Sequence, residues 1–592
     1  MNQRKTKRLH RLPTLVFISI GTLAAAESFH TPETSEERNI HAEYRRIADT
    51  SAANVRTFAK DSGARIPSDF SPWWIRGQRN TIGAADRAQG VTMDDLYVRA
   101  LRHSNQIRVF ADLPLIRETG IQEAKGAFDT NAFLQGKFDR SNDPVGNTLT
   151  TGGAKRFQQN EWSFEAGAKK KFITGTEITL SQKLSRTDNN SIYFVPNPQA
   201  KGALSFNVVQ PLLKGAGIGY NRSVMQIARL DSDIAMSEFI RQSESHLLEI
   251  TRTYWALYAA RVTYLQKAHL VDDTARITDE LRARQKMDAG RSQLFRAESA
   301  LASRRSDLVR AEAAVRNAQD RLKALTGDAK LLDADNIEII PRDRLVLTSA
   351  VFDGRTAAQE ALENRPEINQ AFLQLRAATL REDMQKNELL PELNLVLNGS
   401  LGGLDKGNYG EAFNRQYDTG GPGYGAGLVF SIPLENNIGR ARLERRRLEL
   451  RQQIEQLRTT IDTVLLEVKI SAREVATAYR ETQAKYSAVK AFTEDLDTLQ
   501  ARRSLQAIGD DILMANYLST LLDSQDRRAV AEEDFIRSAA DYQIAIVNLE
   551  RAKGKLLAYS DVSVVRGAGE RGLPQLHLEK GAREGKTASS AR

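Results

Sequence analysis

Leu247-Leu248-Glu249-Ile250-Thr251-Arg252-Thr253-Tyr254-Trp255-Ala256-Leu257 sits near the middle of the stretch that decides the fold. Leu247, Ile250, Tyr254 and Leu257 recur at a 3/4 spacing; Tyr264, Ala268, Val271 and Ala275 continue it past one interruption at Arg261. That period is the seam of a coiled coil rather than the broad apolar face of a globular helix. Glycine and proline, the residues that break helices, mark how far it runs. Neither occurs in the 70 residues between Gly219 and Gly290. At roughly 1.5 Å per residue such a helix spans about 100 Å. A chain of 66.0 kDa cannot bury that length in a globule, so the helix must lie side by side with others.

The pattern occurs twice. Another 69 residues without glycine or proline separate Gly439 from Gly509, with Ile454, Leu457, Ile461, Val464, Val468 and Val475 on the same spacing. Each long run is followed by a shorter one, Arg291–Thr326 and Asp510–Lys553. The chain therefore holds two helical hairpins, and an internal duplication is the economical account. A second matching segment stands ahead of each: Ala100-Leu101-Arg102-His103-Ser104-Asn105-Gln106-Ile107 parallels Ala361-Leu362-Glu363-Asn364-Arg365-Pro366-Glu367-Ile368. Each begins a helix of about 25 residues that leads into a β-like stretch.

Between short helix and hairpin the period changes from 3.6 to 2. In the second half Leu393, Leu395, Leu397 and Leu401 alternate with Asn394, Val396, Asn398 and Ser400; after a Gly-rich loop, Gly402–Gly423, so do Tyr424, Ala426, Leu428, Phe430, Ile432 and Leu434 with smaller residues. The first half has counterparts at Phe128–Asp139 and Leu204–Leu212, and between them two further runs around Trp162, Phe164, Ala166 and Ala168 and around Ile178, Leu180 and Leu184. The offset between halves falls from 261 (Ala100 to Ala361) to 222 (Pro211 to Pro433), so 39 extra residues, one more hairpin, lie in the first half. Runs of about ten residues suit tilted membrane strands. The tight Ile173–Thr176 turn and the long polar Ser141–Asn160 and Arg186–Gly202 segments fit short periplasmic turns and long outer loops. So few strands cannot close a barrel in one chain, and open edges are not tolerated in lipid. Several copies must share one barrel: a trimer gives 18 strands if all six join, or 12 if the extra hairpin stays outside.

The N-terminus carries Arg4, Lys5, Lys7, Arg8 and Arg11, then the apolar Leu12–Leu23 and Ala24-Ala25-Ala26. This is the order of a secretory signal, residues 1–26. The formal charge of +9 includes that basic stretch, and the remaining basic groups are interleaved with acids along helices, so it does not point to nucleic acid. With no cysteine there is neither a disulfide nor an acylated N-terminal anchor. The seven histidines are scattered without metal-ligand spacing, and the Gly402–Gly427 stretch lacks a phosphate-loop Lys-Ser/Thr. No catalytic, metal or cofactor site is expected, and the chain does not read as an enzyme.

With Asn364–Ile368, Leu390-Pro391-Glu392-Leu393, Val209-Gln210-Pro211-Leu212-Leu213-Lys214-Gly215-Ala216-Gly217 and Phe430-Ser431-Ile432-Pro433-Leu434-Glu435-Asn436-Asn437 in this order, the chain resembles the TolC family of outer-membrane efflux and secretion channels over about residues 91–558. The expected fold is an α+β membrane protein: long antiparallel coiled-coil hairpins forming an α-barrel, joined to strands of a shared trimeric transmembrane β-barrel. The expected organisation is an N-terminal polar extension (27–90), a first repeat with four strands (91–327), an inter-repeat equatorial segment (328–355), a second repeat with two strands (356–558) and a disordered tail (559–592). The resemblance implies an outer-membrane homotrimer with its helices in the periplasm. It would be a duct for efflux or type I secretion, working with a periplasmic adaptor and an inner-membrane pump or ABC transporter. The alternative is a periplasmic coiled-coil scaffold or adaptor that forms no channel.

At the strand-to-helix junctions Gln210, Pro211, Leu212, Pro433 and Leu434 end strands, since proline cannot donate to a ladder, and Gly217 and Gly439 permit the bend. The periplasmic gate is expected where the hairpins reverse, at Gly290 and Gly509. There Asp510 and Asp511 either cap the returning helix or, repeated by threefold symmetry, form an acidic ring. Family members often carry Gly-Thr-Arg at the second tip; here Gly509 is followed directly by Asp510, so the arginine latch that the resemblance implies is missing.

Overall fold

The computed structural model describes residues 35–51, 66–67, 70–78, 80–82, 87–284, 291–332, 337–350, 352–506, 511–565 and 574–578. Two helices run most of its length, α5 (Ile218–Arg284) and α11 (Asn437–Gln506). Their expected seams are buried: Leu247, Ile250, Tyr254 and Leu257 in α5, and Leu457, Ile461, Val464, Val468 and Val475 in α11. Shorter helices complete the wall. Beside the end nearer the β-sheet lie α4 (Asn105–Gly126) and α9 (Pro366–Glu388), giving the order α4-α5-α9-α11. Beside the far end lie α6 (Arg291–Thr326) and α12 (Asp511–Ala552), giving α6-α5-α12-α11.

The duplication is written into the backbone. Helix α3 (Met93–His103) breaks at Ser104 (φ −61°, ψ 119°) before α4, and α8 (Gly354–Asn364) breaks at Arg365 (φ −67°, ψ 124°) before α9. These two positions lie at the same 261-residue offset as Ala100 and Ala361. Pro366 forces the second break by clashing with a helical residue before it. Asn105 repeats it without a proline.

A belt surrounds the helices at mid-height. It contains α1 (Ser35–Ser51), α2 (Trp74–Gly77), β1 (Arg87–Val91) paired in parallel with β6 (Ile337–Pro341), α7 (Ala329–Leu332), α13 (Leu556–Tyr559), and the antiparallel pair β9 (Val562–Val565) and β10 (Gln575–Leu578). This corrects two expectations. The N-terminal extension is partly built into the core: Trp74 is 1% exposed and Phe70 packs edge-on against Tyr486 and Phe535. The tail beyond residue 558 is not wholly disordered, since Val562 and Leu576 are buried in the β9–β10 pair. Large apolar side chains in otherwise polar segments drive both.

The remaining strands form one antiparallel sheet: β2 (Thr130–Pro144), β3 (Arg156–Lys171), β4 (Glu177–Asn189), β5 (Gln199–Pro211), β7 (Glu392–Asp405) and β8 (Pro422–Ser431), in that spatial order. The strands of the first repeat are 13 to 16 residues, longer than the ten expected. At about 3.4 Å per residue they rise well beyond an apolar band about 25 Å tall. Much of the sequence expected to be loop is therefore strand, and the connections shrink to 145–155 and 190–198. Polar side chains on both faces hid this, because alternation vanishes where neither face of a strand is apolar.

Among the described residues, no helix is long and apolar enough to cross a membrane.

Candidate functional site

Cross-strand pairs share a face, so the register sorts the sheet into two surfaces. One carries Leu134, Phe138, Trp162, Phe164, Leu180, Leu184, Leu204, Phe206, Leu397, Leu401, Tyr424 and Leu428; the other carries Lys137, Glu161, Glu165, Lys169, Ser181, Lys183, Ser205, Asn207, Asn398 and Ser400. The apolar surface is splayed open, with Leu134 80% and Tyr424 93% exposed, whereas Ser163, Ser181 and Ser185 on the polar surface are buried among their neighbours. Large apolar residues on one side and small polar ones on the other are what a barrel wall requires, with lipid outside and water within. The polar surface is internally paired in places, as at Lys169–Glu177 (2.8 Å) and Lys137–Asp139 (2.7 Å).

The Gly402–Gly423 stretch is not the plain loop expected. Strand β7 runs to Asp405, and α10 (Tyr409–Asp418) lies back across the apolar surface. Two facing glycines, Gly202 and Gly403, make the seat: a Cβ on Gly403 would stand 2.2 Å from the Ala412 carbonyl. Gln182, a polar side chain on the apolar face, exchanges two amide hydrogen bonds of 3.1 Å with Gln416. An amide left unpaired among apolar side chains is costly, and α10 supplies its partner. Arg415 pairs with Asp405 (2.9 Å), and Phe413 meets Tyr417 edge to face on the exposed side. The sequence held a signal for this helix in Asn408, whose side chain caps it, followed three residues later by Glu411. Gly403→Val should dislodge α10 and make Arg415 a trypsin site on intact cells; a chain cut no faster than wild type refutes the seat.

At the first junction β5 ends at Pro211, whereas in the second repeat β8 already ends at Ser431, before Pro433. Gln210 donates to its own neighbour's carbonyl at Pro211 (2.7 Å) and accepts from Thr176. Leu212 extends the ladder by donating to the Leu393 carbonyl (2.8 Å). Gly217 bends at φ +93°, and Asn221 closes the elbow by donating to the Gly215 and Gly217 carbonyls (3.0 and 2.9 Å). In the second repeat the bend is taken by Asn436 (φ +43°), not by Gly439. Gly439 instead lies in α11 and leaves room for the Asn436 side chain, whose Oδ1 would be 2.4 Å from a Cβ there. Pro433 and Leu434 follow the end of β8, with Leu434 exposed. Both elbows are tied to the end of α9, the first by Gly215 N–H to Asn387 Oδ1 (2.7 Å) and the second by Asn436 Nδ2 to the Leu389 carbonyl (3.3 Å).

Of the gate residues, Gly290, Gly509 and Asp510 lie outside the described residues; Asp511 opens α12. A charged link between the two hairpins that sequence reading missed lies further up. Arg304 of α6, 4% exposed, donates to Asp526 (2.9 Å), Gln525 (3.0 Å) and the Leu522 carbonyl (2.9 Å) of α12, and to Thr274 of α5. An arginine in a helical run of charged residues gives no local sign of burial.

At the kink before α9, Arg365 pairs with Glu367 (3.1 Å) and Glu467 (2.6 Å) and donates to the Arg551 carbonyl (3.2 Å). Glu244 of α5 is buried close to this group; burial first, and the charge of Glu367 second, push its carboxyl up to about 7, against Arg365 and Arg551. A raised carboxyl favours the folded state fully below its ordinary value of 4.5 and loses that advantage as pH rises through about 7. Glu244→Gln should therefore stabilise the protein at pH 8 by up to on the order of 3 kcal/mol relative to wild type, and not at pH 4. Equal unfolding midpoints of the two proteins at pH 8 would count against it.

Comparison with known proteins bears on this geometry. Residues 357–555 match the outer membrane efflux protein family. No curated protein matches the sequence. Among solved structures, the outer-membrane channel OprN superposes with a TM-score of 0.58 at 15% identity, covering 84% of this chain and 97% of that one. The CmeC outer-membrane channel of Campylobacter jejuni gives 0.57 at 12%, covering 83% and 94%, and the outer-membrane protein VceC of Vibrio cholerae gives 0.54 at 15%, covering 78% and 96%. These likenesses establish the fold. The fold is that of these outer-membrane channels, and the family match over residues 357–555 agrees with the resemblance to the TolC family.

Proposed function

We propose that three copies of this chain close a single β-barrel in the outer membrane, with their helices forming a periplasmic tunnel, and that the duct exports substrates delivered through a periplasmic adaptor and an inner-membrane transporter. The observation that carries this is a single sheet with one exposed apolar face and two open edges, β2 and β8. Unpaired N–H and C=O groups at such edges cannot face lipid. Pairing β8 of one copy with β2 of the next satisfies both edges, and a closed ring of copies leaves none. The four-lane order of helices on each chain would then continue around the ring, and exposed apolar side chains such as Leu466, Ile470 and Val530 would be covered by neighbouring copies.

The test is direct. Expressed with its signal, the protein should enter the outer-membrane fraction, run as a trimer in mild detergent, and give single channels in a planar bilayer. Recovery as a soluble periplasmic monomer would favour the scaffold reading and reject the duct. No side chain in the polar wall points to a particular substrate; the charges there are close to balanced, which favours size over sign as the filter.

A further inference from the structure

We infer that the extra hairpin β3–β4 is part of the barrel wall itself, so that the trimeric channel on whose reading this rests has 18 strands and a bore set by this insertion. The hairpin is not appended to an edge. It is inserted between β2 and β5, with ladders on both sides: Thr130–Pro144 against Arg156–Lys171, and Glu177–Thr187 against Gln199–Val209. A hairpin lying outside a 12-stranded barrel would leave β2 paired to β5 and its own outer edges bare in lipid.

Its side chains are in phase with the rest of the wall. Phe164 faces Leu184, and Leu180 faces Phe206, on the apolar surface; Ser163 faces Ser185, and Ser181 faces Ser205, on the polar one. A plug folded into the lumen would need polar residues on both faces, and a periplasmic flap would have no use for an apolar one. Its turn is also fixed in place. Gly175 (φ +92°) closes the Phe172–Thr176 turn, and a Cβ there would stand 2.6 Å from the Gly215 carbonyl and 2.9 Å from Pro211. Gly217 donates to the Thr174 carbonyl (3.3 Å). The turn is therefore seated on the strand-to-helix elbow, at the periplasmic end, where a wall hairpin must reverse.

The consequence is width. With strands about 4.8 Å apart and tilted about 40°, 12 strands give a backbone diameter of roughly 24 Å and 18 strands roughly 36 Å. Allowing about 6 Å of side chain on each side, the free bore grows from about 12 Å to about 24 Å. The wider wall also has the girth, roughly 110 Å, of the twelve helices that three copies would place beneath it at 9–10 Å spacing. The hairpin thus sets the size of cargo that the barrel passes, and suits hydrated polymers or partly folded polypeptide rather than small solutes alone.

The chain has no cysteine, which makes a clean test possible. Two double variants, Phe138→Cys/Trp162→Cys across β2–β3 and Leu180→Cys/Phe206→Cys across β4–β5, are oxidised in trimers extracted from the outer membrane. Both should form intrachain disulfides in high yield. A second measurement deletes residues 156–189, joining β2 to β5, and compares the largest polyethylene glycol that enters the channel from the outer side; its limiting radius should fall by about half. Normal trimers in which either disulfide fails, or in which deletion leaves the polymer limit unchanged, overturn the wide barrel. If the deletion variant does not assemble, the disulfide pairs still decide. Absence of trimers in the unmodified chain would instead overturn the channel reading beneath it.

Discussion

Arg261→Ala should cost about 3–5 kcal/mol of stability, the loss expected when one partner of a buried ion pair is removed. Arg261 is fully buried in the middle of the α5 seam and pairs with Glu338 of β6. Its guanidinium also donates to the carbonyls of Asn80 (2.8 Å) and Gln78 (3.2 Å), while Glu338 accepts from the Ile82 N–H (3.0 and 3.1 Å). One cluster therefore ties the N-terminal extension, the first long helix and the inter-repeat strand to one another. Alanine leaves the Glu338 carboxylate buried without a counter-charge and the two carbonyls without a donor. The unfolding midpoint should fall by several degrees, and the extension should become protease-sensitive around Trp73–Arg76. Arg261→Met/Glu338→Met should recover most of the loss, because an apolar pair of similar volume carries no desolvation penalty. A double variant as unstable as the single one would show that the pairing is not what matters.

Arg304→Ala should raise channel conductance several-fold without lowering the yield of trimers. Arg304 joins α6 of the first hairpin to α12 of the second, about a dozen residues above the reversal, with donors satisfied on Asp526, Gln525 and Leu522. Each hydrogen bond to a charged group contributes about 1.5–3 kcal/mol. Losing the set shifts an equilibrium between joined and separated hairpins by roughly two orders of magnitude or more. Leu294, Ala297 and Leu301 still hold α6 in its seam, so the tunnel should persist while its mouth loosens. Arg304→Lys keeps the charge but not the forked geometry and should behave nearly as alanine. Unchanged conductance in both variants would place the gate elsewhere, at the tips beyond these residues.

How much of this was legible in advance follows the range of the forces involved. The 3/4 seams, the period-2 runs and the repeat offset are local, since each depends on which face a residue takes within one element. They were sufficient for two hairpins and for the strand count. The tight turn at Ile173–Thr176 and the elbow at Gly217 were legible for the same reason, because a positive φ or a missing N–H announces itself within a few residues. The bend at Asn436 was not, since asparagine tolerates that conformation without requiring it. Helix α10 was signalled by its Asn408 cap, but its seat was hidden because the decisive contact joins Ala412 to Gly202, a glycine some two hundred residues earlier.

The sequence by itself determined the periods, and with them a coiled-coil wall, a sheet with one apolar face and their duplication. Only the tertiary structure decided which charges are buried and what meets them. Arg261 looked like a flaw in a seam and is a buried junction of three segments; Arg304 gave no local sign of burial and joins the hairpins. Burial of a charge depends on partners brought together from distant parts of the chain, and hydrophobic periodicity carries no record of them.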